Sequence, residues 1–202
     1  MANKTWDKLS NGVLHMVSKN AEMFEPLRSN NFELYIPNLA NVDYVSGPNA
    51  GKAIKSRDFV LSVKSVTPPS ATINTLEVAY GNAKAKYAGM SEFNTSEIVF
   101  NDFLGIDVAR ALEAWYNKVF NLKTHQIGRK KDYAMLAYLM EYSPDGMLQR
   151  VWELHNCWIN SFQLGSYDND DPSIRQVTCS FVYDWFNEST KDSVTWSMNA
   201  SV

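Results

Sequence analysis

The segment Gly47-Pro-Asn-Ala-Gly51-Lys52-Ala53 is the first place to look for chemistry, because glycine-rich turns followed by lysine can wrap phosphate groups. Only three residues separate its glycines where four are needed, and Ala53 stands where a magnesium-binding hydroxyl belongs. The segment therefore reads as a loop of turn formers. His155-Asn156-Cys157 sets two metal-ligand types side by side, but no second pair completes a four-ligand set, and His15 and His125 lie elsewhere. Neither Cys157 nor Cys179 has the flanking glycines or helix-opening position that activates a thiol. Both sit in apolar surroundings and read as reduced core cysteines. Asp168-Asn-Asp-Asp171 lacks the pattern of a dedicated calcium loop and reads as an exposed turn. Arg129-Lys130-Lys131 is either a solvated loop or a charged contact to an acidic surface on another subunit. No nucleophile, base and orienting group occur together, so the chain is not expected to be an enzyme, and no cofactor or metal is expected.

The elements that hold these residues fall into three zones. Over 1–27, Val13, Leu14, Val17, Ala21 and Phe24 recur at helical spacing, with Ser10 or Asn11 as a cap and Pro26 at the end, which predicts an N-terminal helical arm. Over 187–202 the chain is rich in Ser, Thr and Asn, and only Trp196 interrupts a flexible C-terminal tail. Between them, 28–186 reads as strands. Phe32–Ile36 alternates and stops at Pro37, and Phe59–Val66 stops before Pro68-Pro69. Leu76–Tyr80 and Lys84–Ala88 flank Gly81-Asn82 as a hairpin. Glu97–Phe100 is another short strand. Tyr133–Tyr142 and Met147–His155 flank the turn Ser143-Pro-Asp-Gly146, and Val177–Trp185 alternates over its whole length. One helix interrupts the strands, capped by Asn101 or Asp102, with Leu104, Val108, Ala111, Leu112, Trp115 and Val119 on one face and Lys118 and Lys123 near its end. The expected fold is mainly β with one packed helix (α+β), an antiparallel β-barrel or sandwich.

Composition narrows the function classes. The chain has 202 residues, 45% apolar and 20% charged, enough for one domain with its own core. Its formal net charge is −3, which does not suit a protein that grips nucleic acid by neutralising phosphates. There is no basic segment followed by an apolar run at the start, and no apolar stretch of membrane-spanning length, so neither a signal peptide nor membrane insertion is expected.

The order of segments resembles the tube proteins of contractile phage tails, the tail tube / Hcp-like family shared with type VI secretion. The resemblance covers about 28–186. It runs from Arg28-Ser-Asn-Asn-Phe-Glu-Leu-Tyr-Ile36 through Ser62-Val-Lys-Ser-Val-Thr-Pro-Pro-Ser70 to Tyr80-Gly-Asn-Ala-Lys-Ala-Lys-Tyr-Ala-Gly89. Glu97-Ile-Val-Phe-Asn-Asp102 then leads into the helix with Trp115, and Asn160–Gly165 with Gln176–Trp185 resembles the final strand pair. The stretch 38–58 has the character of an insertion after the first strand.

The resemblance implies hexameric rings, closed through shared strands and stacked head to tail into a tube. It implies a virion tail-tube subunit, assembled in the host cytoplasm, forming a conduit for genome ejection. Implied partners are other copies of the chain, a tail sheath protein, a baseplate or tube initiator, a tape measure protein, a tail terminator, and double-stranded DNA in transit without specific binding. A wall of neutral and acidic groups would suit that passage. Pro68, Pro69, Leu76, Val78, Tyr80 and Tyr87 are the candidate ring-stacking segment, with an ordinary core hairpin as the other reading. Arg129, Lys130 and Lys131 are the candidate charged inter-subunit contacts. Alternatives are a tube-like baseplate or tail-initiator protein, a type VI secretion tube, or, from another class, a monomeric β-barrel ligand-binding module.

Overall fold

The computed structural model describes residues 26–170 and 172–189. The expected N-terminal helix, His15, Asp171, Trp196 and most of the expected C-terminal tail fall outside the described residues.

Nine strands run through the described chain: β1 (Phe32–Tyr35), β2 (Val63–Val66), β3 (Ala71–Tyr80), β4 (Ala83–Phe93), β5 (Ser96–Asn101), β6 (Met135–Tyr142), β7 (Leu148–Gln163), β8 (Gln176–Val182) and β9 (Trp185–Glu188). Three α-helical segments accompany them: α1 (Ser56–Leu61), α2 (Val108–Val119) and α3 (Lys130–Tyr133). The body is one antiparallel sheet in the order β1-β6-β7-β8-β5-β2, with β9 also on β7. The sheet curls without closing. Although β1 and β2 approach to within 8 Å at some Cα atoms, they are not hydrogen-bonded neighbours, so the barrel remains open at that seam.

The curl is made on β7, whose sixteen residues serve two sets of neighbours. Leu148 to Cys157 pairs with β6, and Trp158 to Gln163 pairs with β8. Between Met135↔Cys157 and Ala137↔Leu154 the register slips at His155-Asn156. Asn156 has φ +56°, a left-handed conformation that Asn tolerates better than most residues. Opposite this bulge the alternating run Val177–Trp185 breaks at Tyr183-Asp184, giving β8 and β9 where the pattern predicts one strand. Asp184 pins the corner: its backbone N–H donates to the His155 carbonyl at 3.0 Å, and its carboxylate accepts from Asn156 at 2.8 Å and Lys130 at 2.7 Å.

The helix α2 lies on the sheet. Its cap is Asp107, not Asn101 or Asp102: Asp107 adopts φ 46° and its side chain accepts from the Arg110 N–H. Asn101 belongs to β5, and Leu104 lies in the loop before the helix, fully exposed. The buried face contains Val108, Ala111, Leu112, Trp115 and Val119, as the helical spacing predicts. Trp115 packs edge-on against Phe181 at 5.1 Å and donates its indole N–H to the Tyr133 carbonyl at 2.8 Å. Such a ring pair adds about 0.5–1.5 kcal/mol beyond area burial.

Two further expectations are corrected. Phe59–Leu61 is helical, and only Val63–Val66 is strand. Phe59 is buried against Phe100 at 4.7 Å between centroids while Leu61 points outward, so packing overrides β propensity. Tyr133 likewise closes α3 and does not open β6. The stretch 38–58 supplies Leu39, Val42, Tyr44 and Ile54 to the core and is crossed by an Asp43↔Ala53 bridge.

Candidate assembly surface

β3 and β4 form a hairpin apart from the body sheet. At ten and eleven residues they reach about 30 Å from root to tip. Gly81, at φ +59°, makes the tight turn that joins them. Unlike every other long strand of the chain, neither has a buried residue. The hairpin is therefore not part of the core.

Register fixes what each face carries. Leu76 lies across from Tyr87, Val78 from Ala85 and Tyr80 from Ala83, so the outer half of one face is apolar or aromatic. Its outer end is held by a 3.3 Å hydrogen bond between the Tyr80 and Tyr87 hydroxyls. Leu76 and Tyr80 are more than half exposed, at 57% and 59%. The opposite face carries Glu77, Lys84 and Lys86, with Lys84 at 2.9 Å and Lys86 at 3.8 Å from the one glutamate. Those pairs are solvent-exposed and contribute little to stability. Nearer the root, Asn74 faces two residues of β4, Gly89 and Met90, in a bulge. Gly89 is needed there, since a Cβ would stand 2.7 Å from the Asn74 carbonyl oxygen.

The root is anchored. The Ser70 backbone N–H donates to the Tyr183 hydroxyl at 3.1 Å, and the Asn94 N–H donates to the Ser70 carbonyl at 3.0 Å. Phe93 packs edge-on against Phe186 at 5.7 Å. The hairpin thus leaves from the end of the sheet where β2 finishes and β5 begins. Pro68 and Pro69 cannot donate to the sheet ladder and mark the exit. Four of the sequence-derived stacking residues, Leu76, Val78, Tyr80 and Tyr87, are brought together on one face; Pro68 and Pro69 sit at the base.

The basic run is dispersed. Lys130 is committed to Asp184 within the same chain, while Arg129 and Lys131 are exposed beside it. The other chemical candidates are likewise absorbed into structure. His155 stacks on Trp185 at 3.6 Å and its Nε2 lies 2.9 Å from Asn187 Oδ1. Burial pushes the Cys157 thiol up to about 12, with the nearby Asp184 charge adding to the effect; burial also raises Cys179. Both thiols are free and buried. The loop 47–53 is tied by bonds such as Gly51 N–H to Tyr44 carbonyl at 2.9 Å. Among the described residues no group of three or more His, Cys, Asp and Glu converges, and no helix is long and apolar enough to cross a membrane.

Spacing alone did not reveal Asp102 and Arg175, paired at 2.6 Å, nor the exposed apolar residues Phe103, Leu104, Leu164 and Tyr167 around them. They lie in two loops whose proximity depends on the β5–β8 register.

No family model matches the chain, and no curated protein matches it. Solved structures do. The tube-terminating cap of the anti-feeding prophage aligns with TM-score 0.57 at 14% identity, over 82% of this chain and 91% of that one. The PVC sheath/tube terminator of an extracellular contractile injection system aligns with TM-score 0.57 at 16% identity, over 82% and 97%. The PVC sheath-tube complex in its extended state aligns with TM-score 0.56 at 15% identity, over 87% and 96%. With its antiparallel sheet, packed helix and projecting hairpin, this chain has the fold of tube and terminator components of contractile injection systems.

Proposed function

We propose that this chain is a structural subunit of a contractile phage tail tube, six copies closing a ring and rings stacking into a conduit for the genome. The observation that carries this reading is the β3–β4 hairpin, which presents Leu76, Tyr80 and Tyr87 to solvent in the free chain, with half-buried Val78 between them on the same face. An exposed apolar face of this kind on a two-stranded hairpin is marginal in water and gains stability when covered. A second copy is the natural cover, because the same chain also carries the unpaired edges β1 and β2. The shared fold supports a tube-like structural role rather than catalysis.

In this reading the sheath, the baseplate initiator, the tape measure protein and the tail terminator are the further partners, and the particle is the virion tail. Double-stranded DNA passes without specific binding, which the net charge of −3 suits. Arg129 and Lys131 remain available for contacts between subunits; Lys130 does not without leaving Asp184. A cap or initiator that stops at one ring is the second reading, favoured by the cap and the tube aligning equally well, with TM-scores of 0.57 and 0.56.

Negative-stain electron microscopy of the purified protein across a concentration series tests both. Hollow tubes that lengthen with concentration support the tube subunit. Rings that never stack support the cap. A monomer at every concentration, even when preformed tube ends are supplied, sinks both and returns attention to a ligand-binding barrel.

A further inference from the structure

A filament that grows head to tail needs two different surfaces on each copy, at opposite ends of the growth axis and complementary to each other. One is the hairpin. The topology indicates where to seek the other. β5 pairs with β8 from Ser96↔Phe181 at one end to Asn101↔Gln176 at the other. The hairpin leaves from the Ser96 end, so the loops following Asn101 and preceding Gln176 lie at the far end of the same strands. Those loops, through 102–107 on one side and Leu164, Tyr167 and Arg175 on the other, enclose an open cleft of about 560 Å³ against the first turns of α2.

The cleft has the chemistry of an acceptor. Leu104 stands free of the body at 107% exposure, and Tyr167 is 80% exposed. Phe103 and Leu164 complete an apolar lining. Beneath them the Arg175 guanidinium holds Asp102 at 2.6 Å and is hydrogen-bonded to the Tyr167 hydroxyl, fixing the two loops to each other. Asp102 Oδ1 and Arg175 Nε are buried there with hydrogen-bonding capacity unused among the described residues. The lining holds three carboxylates, Asp102, Asp107 and Glu113, against two guanidiniums, Arg110 and Arg175.

We infer that this cleft is the acceptor for the β3–β4 hairpin of a second copy, with Leu76, Tyr80 and Tyr87 of one subunit packing on Phe103, Leu104 and Leu164 of the next. The inference rests on the tube reading and adds to it the surface that receives the hairpin. It accounts for two exposed apolar patches with one contact. It also makes the contact directional, since the two patches lie at opposite ends of the paired strands β5 and β8.

Paired cysteine substitutions test it. Leu104→Cys is combined in turn with Leu76→Cys, Tyr80→Cys and Tyr87→Cys, and assembled protein is treated with a short bismaleimide. Cys157 and Cys179 are buried and do not compete. At least one pair is expected to give a ladder of covalent multimers, more than tenfold above the control pair Leu104→Cys with Met147→Cys. Tubes in which no hairpin pair exceeds that control overturn the acceptor and leave the tube reading standing. If the cysteine variants do not assemble while the parent does, Leu104→Asp and Met147→Asp decide instead. The acceptor requires Leu104→Asp alone to raise the concentration needed for assembly, by about tenfold or more, with an unchanged circular dichroism spectrum. Equal behaviour of the two variants overturns it. A parent chain that never assembles overturns both readings together.

Discussion

Ser70 and Tyr183, 113 residues apart in the chain, are joined by a hydrogen bond of 3.1 Å from the Ser70 N–H to the Tyr183 hydroxyl. That bond ties the root of the projecting hairpin to the break between β8 and β9. Burial raises the Tyr183 pKa, so the hydroxyl keeps its proton at ordinary pH and can also donate to the Ser70 carbonyl at 3.4 Å.

Tyr183→Phe removes this tie and leaves the Ser70 N–H without it. A net loss of about 1 kcal/mol is expected, read as a lower midpoint in urea with an unchanged slope. Amide exchange at the hairpin root should speed up more than exchange in β6. Equal acceleration in both would contradict a local anchoring role.

Leu76→Asp separates folding from assembly. The side chain is 57% exposed, so the thermal midpoint should move by no more than about 0.5 kcal/mol equivalent. If the chain assembles as proposed, sedimentation should nevertheless show loss of the large species. A variant that unfolds instead would place Leu76 in the core, against the geometry.

The thiols provide a pH test. Cys157 is raised from an ordinary 9.0 to about 12, first by burial and then by Asp184. A folded pKa above the unfolded one gives stability that is complete below about 9 and is lost as pH climbs toward 12. The urea midpoint should therefore fall across that window, and less so for Cys157→Ser if the variant folds. Native protein should resist iodoacetamide at pH 8 and react only when unfolded.

Asp184 has the opposite sign. The Lys130 hydrogen bond, followed by burial opposing it and by Asn156, leaves its carboxyl below the ordinary 3.8. Its stabilisation is present above that value and disappears as pH falls through the lowered pKa. Because both partners are substantially exposed, Lys130→Ala should cost no more than about 1 kcal/mol. Titration of Asp184 by carboxyl-carbon NMR should show its pKa rising in that variant.

Trp115→Ala should cost about 4 kcal/mol, since it empties a fully buried site and leaves the Tyr133 carbonyl unpaired. Differential scanning calorimetry gives the loss directly.

Where side chains repeat with a strong period, the sequence was enough to place the element. The face Ala111, Leu112, Trp115 and Val119 is buried as its spacing predicts, and Gly81-Asn82 forms the hairpin turn. Period two could not show that Val177–Trp185 is broken at Tyr183-Asp184, because the break arises from the Asn156 bulge in another strand. Phe59 reads as strand by propensity and becomes helix through Phe100, 41 positions away by residue number. The hairpin's amphipathic alternation was visible, but alternation alone does not say whether an apolar face meets the core or the solvent. The cleft at Leu104 and Leu164 was least accessible, since it depends on which loops the sheet order brings together.

Exposure along both faces of β3 and β4 has a kinetic meaning. A two-stranded ribbon with no covering layer is marginal in water, and in the proposed tube its ordering cost falls due when it meets another copy. Two free chains must both bear that cost at first encounter, whereas a chain adding to an existing end finds its receiving surface already rigid. Growth should therefore outrun initiation, with a lag that vanishes when preformed ends are supplied. The number of tubes would then be set by the number of starting points, and protein supply would set only how far each one extends.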